Sequence, residues 1–76
     1  MIMKLTKREI EILHLIVDGL GYREIASKLF VSVNTVLTHR KNIKSKLGVK
    51  SSAGIVTEAI NQGYYKFTKL RRVYTL

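Results

Sequence analysis

Ser32 to Gly48, SVNTVLTHRKNIKSKLG, decides how this chain is read. At about 100° per residue the stretch is a helix with two different faces. Val36, Ile43 and Leu47 line one stripe, with Arg40 at its edge, while Asn34, Leu37, Thr38, Lys41 and Ser45 cluster on the opposite side. That second face is short-chained and polar, carries one long cation and contains no acid. A solvated helix face more often mixes Glu with Lys. This one suits a negative, flat-edged partner such as the major groove of DNA.

Outward from the helix, the charge distribution agrees. The net charge is +9, and four of the five acids (Glu9, Glu11, Asp18, Glu24) lie in the first 24 residues. From Ile25 to Thr57 there is no acid, only Lys28, Arg40, Lys41, Lys44, Lys46 and Lys50. One-sided positive charge of this kind fits a polyphosphate.

The chain has 76 residues, 46% of them hydrophobic, which suits one small packed domain near the lower limit for a single core. It has no proline and no cysteine, so helix is favoured and thiolate chemistry is excluded. No apolar run approaches the roughly 20 residues of a membrane span, and the N-terminus lacks the apolar core of a secretory signal. The expected compartment is the cytoplasm, in association with the nucleoid.

The flanking segments read as three more helices. Thr6 and Glu9 form a capping box, with Leu5 as staple, for a helix from about Lys7 to Asp18 that ends at Gly19. Its apolar stripe (Ile10, Leu13, Val17, widened by Ile12 and Ile16) is broad enough for more than one neighbour. A second helix spans about Tyr22 to Leu29, with Ile25, Ala26 and Leu29 facing inward. Phe30 and Val31 form an apolar turn, and Ser32 caps the third helix. Gly48 closes that helix, and Ser51 or Ser52 caps a fourth that runs to about Gln62. The expected fold is all-α, a four-helix bundle containing a helix-turn-helix, whose second helix is the one that enters the major groove. The expected domain covers residues 1–66. Residues 67–76 form a basic tail without fixed structure past about Leu70, with Tyr64 and Phe67 as candidates to pack on the core.

Four phrases in fixed order carry a resemblance: LTKREIEIL (Leu5 to Leu13), REIASKL (Arg23 to Leu29), VSVNTVLTHRKNIKSKLGV (Val31 to Val49) and AINQG (Ala59 to Gly63). Together they resemble the LuxR/NarL-type helix-turn-helix family, also called the GerE-type DNA-binding domain. The resemblance implies sequence-specific duplex DNA binding by the output domain of a bacterial transcription regulator, often a response regulator. It places Leu37, Thr38 and Lys41 on base edges, and Thr35, Lys44, Lys46, Arg23 and Lys28 on phosphates. It further implies a weak homodimer through the fourth helix, with Gly54, Val56 and Ile60 at the contact and RNA polymerase as a further partner.

Three positions depart from the family pattern. Leu37 stands where Lys or Arg is frequent, and Ser52 stands where Arg is usual, removing an expected phosphate or interhelix contact. Gly21-Tyr22 replaces Ser-Asn and weakens the cap of helix two.

Catalysis is not expected. His14 and His39 are lone imidazoles without a carboxylate-rich or cysteine neighbourhood, so no metal site, cofactor or small-molecule ligand is expected, and Thr6 and Ser32 are caps rather than nucleophiles. The alternative reading is a protein–protein interaction module on the same scaffold. The promoter-recognising fourth region of a sigma factor fits the third-helix phrase less well.

Overall fold

The computed structural model describes residues 4–64, and within them four helices follow in order: α1 (Lys7–Val17), α2 (Tyr22–Leu29), α3 (Val33–Leu47) and α4 (Ser52–Asn61). There is no strand among the described residues. Each start has a local cause. Thr6 Oγ1 accepts the Glu9 amide at 3.1 Å, and Glu9 Oε1 accepts the Thr6 amide at 2.8 Å, completing the capping box of α1. Ser32 Oγ accepts the Thr35 amide at 3.0 Å, and Ser51 Oγ accepts the Gly54 amide at 3.1 Å. Helix α2 lacks a side-chain cap at Gly21, as expected, but Glu24 Oε1 accepts the Gly21 amide at 2.8 Å and supplies half of the box.

Two helix ends use the left-handed backbone in contrasting ways. Gly48 closes α3 at φ 72°, where a side chain would be strained. Phe30 closes α2 at φ 57° without being glycine, and its side chain is 94% exposed. The apolar turn expected at Phe30 is therefore only half apolar in function. Val31 packs against the core and Phe30 does not.

The core is drawn from all four helices. Ile12 and Leu13 of α1, Ile25 and Ala26 of α2, Val36, Ile43 and Leu47 of α3, and Ile55 and Ala59 of α4 are buried, together with Leu5. Helix α1 packs against the other three, in keeping with its broad stripe, and α3 lies against both α2 and α4. His14 Nε2 lies 2.7 Å from the Tyr64 carbonyl, tying α1 to the end of α4, and Tyr64 packs on the core. Phe67 and the basic tail lie outside the described residues.

Gly54 has an intramolecular explanation. A Cβ there would stand 2.9 Å from Val49 Cβ and 3.3 Å from Val49 Cγ1. Real Cβ atoms do not sit that close, so the start of α4 needs glycine to pass over the preceding loop. The close approach at this position is made by Val49 of the same chain.

Candidate nucleic-acid interface

Burial sorts α3 as its sequence pattern implies. Val36, Ile43 and Leu47 are buried, whereas Asn34, Leu37, Thr38, Lys41 and Ser45 are all exposed. The apolar stripe fixes the rotation of the helix, and that rotation turns the polar face outward. Leu37, at 39% exposure, places an aliphatic side chain on the outward face. Lys41, one turn on, is its long cation. The three residues assigned to base edges therefore share one accessible surface of α3.

The residues assigned to phosphates do not form one set. Lys44 is half-buried on α3, and Arg23 and Lys28 are exposed on α2. The Arg23 guanidinium lies 5.9 Å from the centroid of the Tyr22 ring, a cation–π distance. Thr35 is half-buried, and its hydroxyl sits 2.8 Å from Ser32 Oγ within the cap of α3.

Lys46 is engaged inside the domain. Its Nζ donates to Glu9 Oε1 at 2.8 Å, and Glu9 is 4% exposed. The same oxygen accepts the Thr6 amide. Burial pushes the Glu9 carboxyl up, but the Lys46 hydrogen bond, the Thr6 amide and the attraction of the Lys46 ammonium outweigh it, so the carboxyl is held below its ordinary value. Lys46 thus serves as a strut between α1 and α3. The position sits on the flank of α3, about 140° around the helix from Lys41 at 100° per residue.

Ser52 and Arg40 form a contact that the sequence reading did not anticipate. Arg40 Nη2 donates to Ser52 Oγ, joining α3 to the first residue of α4. An interhelix contact is therefore present at Ser52, with the guanidinium supplied by α3. His39 is half-buried, and its Nδ1 is shielded without a hydrogen-bond partner among the described residues. Val56 and Ile60, assigned to a dimer contact, are half-buried one turn apart on α4 and are not among the apolar residues packed on the core. Among the described residues no cluster of His, Asp or Glu is suited to a metal, and no helix is long and apolar enough to cross a membrane.

Four short helices, with a capped third helix turned polar-face outward beside a tight turn from the second, define a helix-turn-helix domain of the bacterial regulator type. The family model for bacterial regulatory proteins of the luxR family matches residues 3–59, and the chain belongs to that family. It is 51% identical over 63 residues to the oxygen regulatory protein NreC of Staphylococcus aureus, covering 83% of this chain and 29% of that protein. Among solved structures it is similar to the response regulator ChrA of a heme-sensing two-component system, with TM-score 0.80 and 44% identity over 83% of this chain and 31% of that one. It is also similar to VqmA in a Vibrio cholera VqmA–ligand–DNA complex, with TM-score 0.77 and 31% identity over 84% of this chain and 28% of that one. The chain thus spans less than a third of the length of each of these relatives.

Proposed function

We propose that this domain binds duplex DNA in a sequence-dependent manner for a bacterial transcription regulator, with α3 in the major groove. One observation carries the reading: the solvent-turned face of α3 is acid-free and presents Leu37, Thr38 and Lys41 together. Lys41 donates to a guanine edge, Thr38 bonds to several bases, and Leu37 meets a thymine methyl. Lys44, Arg23 and Lys28 take phosphates, and these contacts supply most of the affinity. Lys46 belongs to the ion pair with Glu9 instead. The presence of DNA in the VqmA complex supports the same reading.

Self-association is the second part of the proposal. Val56 and Ile60 form a weak two-fold contact through α4, which sets two recognition helices about 34 Å apart. Gly54 contributes to the folding of α4 rather than to that contact. The similarity to ChrA supports a place as the output domain of a response regulator; a cytoplasmic setting at the nucleoid and RNA polymerase as a further partner are also proposed.

Replacing Lys41 with Ala tests the base-reading role. On a duplex selected from a random pool, selectivity over random DNA should fall by roughly five- to tenfold, the lower part of the range for one base contact. Equal losses on selected and random duplexes would remove Lys41 from base readout. A second reading, docking of another protein, is favoured by the 94% exposed Phe30 beside the turn. Absence of DNA binding at low salt, with a stoichiometric protein partner, would select it.

A further inference from the structure

Arg40 is absent from the DNA contacts assigned so far, yet its position is unusual. Helices α2 and α4 lie on either side of α3, and an open cleft of about 330 Å³ separates their first turns. Ile16, Leu20, Ile25 and Val36 give it an apolar lining, and Tyr22 and Ser52, the first residues of α2 and α4, line it too. Arg40 lines the same cleft, and no acid does.

The partners of the other two arginines among the described residues sharpen the contrast. Arg8 pairs with Glu11 at 3.5 Å, and Arg23 lies over Tyr22. Arg40 spends one N–H on Ser52 Oγ and forms no ion pair among the described residues. A guanidinium carries five donors in a fixed fork. One donor pinned to Ser52 orients the plane, and the rest of the fork has no hydrogen-bond partner among the described residues. An apolar lining lowers the local dielectric, which strengthens attraction for an oxyanion without offering a competing carboxylate.

Helical geometry says which oxyanion. Taking Leu37, Thr38 and Lys41 as the groove-facing arc, Arg40 lies about 60° beyond Leu37, on the flank between that arc and the buried stripe, with Lys44 one turn later between it and Leu37. A helix with side chains is 10–12 Å across and the major groove about 12 Å wide. Residues at the edge of the arc therefore face the groove wall, where the phosphates are. We propose that Arg40, oriented by Ser52, holds a backbone phosphate of the bound duplex in the cleft between α2 and α4. This rests on the DNA-binding reading of α3. Ser52 is a positioning residue, and it links the seat of α4 to the grip on DNA.

The test is the salt dependence of binding to a random duplex, measured by fluorescence anisotropy for the wild-type domain and for Arg40→Gln, Arg40→Lys and Ser52→Ala, each checked for folding by thermal melting. Each phosphate contact contributes about 0.9 to the slope of log K against log salt. Arg40→Gln should lower the slope by about 0.9 and weaken binding. Arg40→Lys should keep the slope and lose affinity, because lysine has no fork to share between Ser52 and phosphate. Ser52→Ala should also keep the slope and lose affinity. An unchanged slope in Arg40→Gln overturns the proposal. Where that slope is unchanged, titration with inorganic phosphate, followed through the Arg40 side-chain resonance, separates a site for a free anion (shifts) from a purely structural arginine (no shifts). If Arg40→Gln does not fold, wild-type affinity in both Arg40→Lys and Ser52→Ala overturns it. Wild-type protein that fails to bind DNA at all refutes the DNA-binding reading itself, a different result from binding with an Arg40-independent slope.

Discussion

Replacing Lys46 with Met would remove the ammonium from the strut between α1 and α3 while keeping most of its aliphatic stem. Glu9 would stay 4% exposed, with the Thr6 amide as its remaining hydrogen-bond donor. Breaking a fully buried ion pair costs about 3–5 kcal/mol. The Lys46 side chain is 18% exposed, so water offsets part of the loss and about 2–3 kcal/mol is the expected cost. A domain of this size has only about 4–10 kcal/mol in total, so the change should move its urea midpoint strongly. Glu9→Gln keeps an acceptor for the Thr6 amide and loses only the charge, at about 1–2 kcal/mol. The double variant leaves no buried charge, and the coupling energy of the cycle should be about 1–2 kcal/mol.

The pH dependence has a definite sign. The Glu9 carboxyl is held below its ordinary value in the fold, against about 4.3 in an unfolded chain. The native state therefore binds fewer protons through that window. The stabilisation is present above about pH 4.3 and is lost as the pH falls toward the folded value. Urea unfolding of wild type and Glu9→Gln between pH 6 and pH 3 isolates this contribution from the other acids. A coupling energy near zero, with parallel pH curves, would refute the strut. The same variant decides what Lys46 does on DNA. Lys46→Met should leave the salt slope of binding unchanged, and a slope lowered by about 0.9 would place Lys46 on a phosphate.

Phe30→Gly should stabilise the domain by about 0.5–1 kcal/mol, because glycine removes the left-handed penalty and the exposed ring has little burial to lose; a raised Tm checks it, and a lowered one would mean that the ring has a packing role. Gly54→Ala should destabilise by roughly 1–2 kcal/mol despite the better helix propensity of Ala, since the added methyl meets Val49 Cβ at 2.9 Å. Thermal melting at several protein concentrations distinguishes this from a dimer effect, which would depend on concentration. Val56→Asp with Ile60→Asp should abolish self-association in sedimentation velocity while leaving the monomer folded, and an unchanged sedimentation coefficient at high concentration would remove α4 from the contact.

The architecture was legible because local signals and hydrophobic period agree at each helix. Thr6–Glu9 and Ser32 are caps whose identity is written in the residues that follow them, Ser51 is one of two caps the sequence leaves open for α4, and the buried residues of α3 fall on the stripe that its periodicity marks. The outward face of α3 follows from the same periodicity. What could not be read lies between elements distant in sequence. The pairing of Glu9 with Lys46 depends on how α1 crosses α3, and nothing near either residue encodes it, so Lys46 looked like any other lysine on a basic helix. The same holds for Arg40 and Ser52, which meet only because α4 starts beside the middle of α3. Gly54 carries no local sign of Val49, whose side chain lies against it across the turn between α3 and α4. Phe30 is the opposite case, a left-handed position occupied by a residue type that rarely marks one.

The most direct test of the central claim is a fluorescence anisotropy titration of the domain on a pool of random duplexes at several salt concentrations, with sequencing of the bound fraction. A steep negative salt slope with an enriched half-site, lost on Lys41→Ala, is the expected result, and paired half-sites would give the spacing of a dimer. A steep slope without enrichment would reduce the domain to phosphate binding and contradict base reading by Leu37, Thr38 and Lys41. Absence of binding at low salt would contradict the DNA-binding account as a whole.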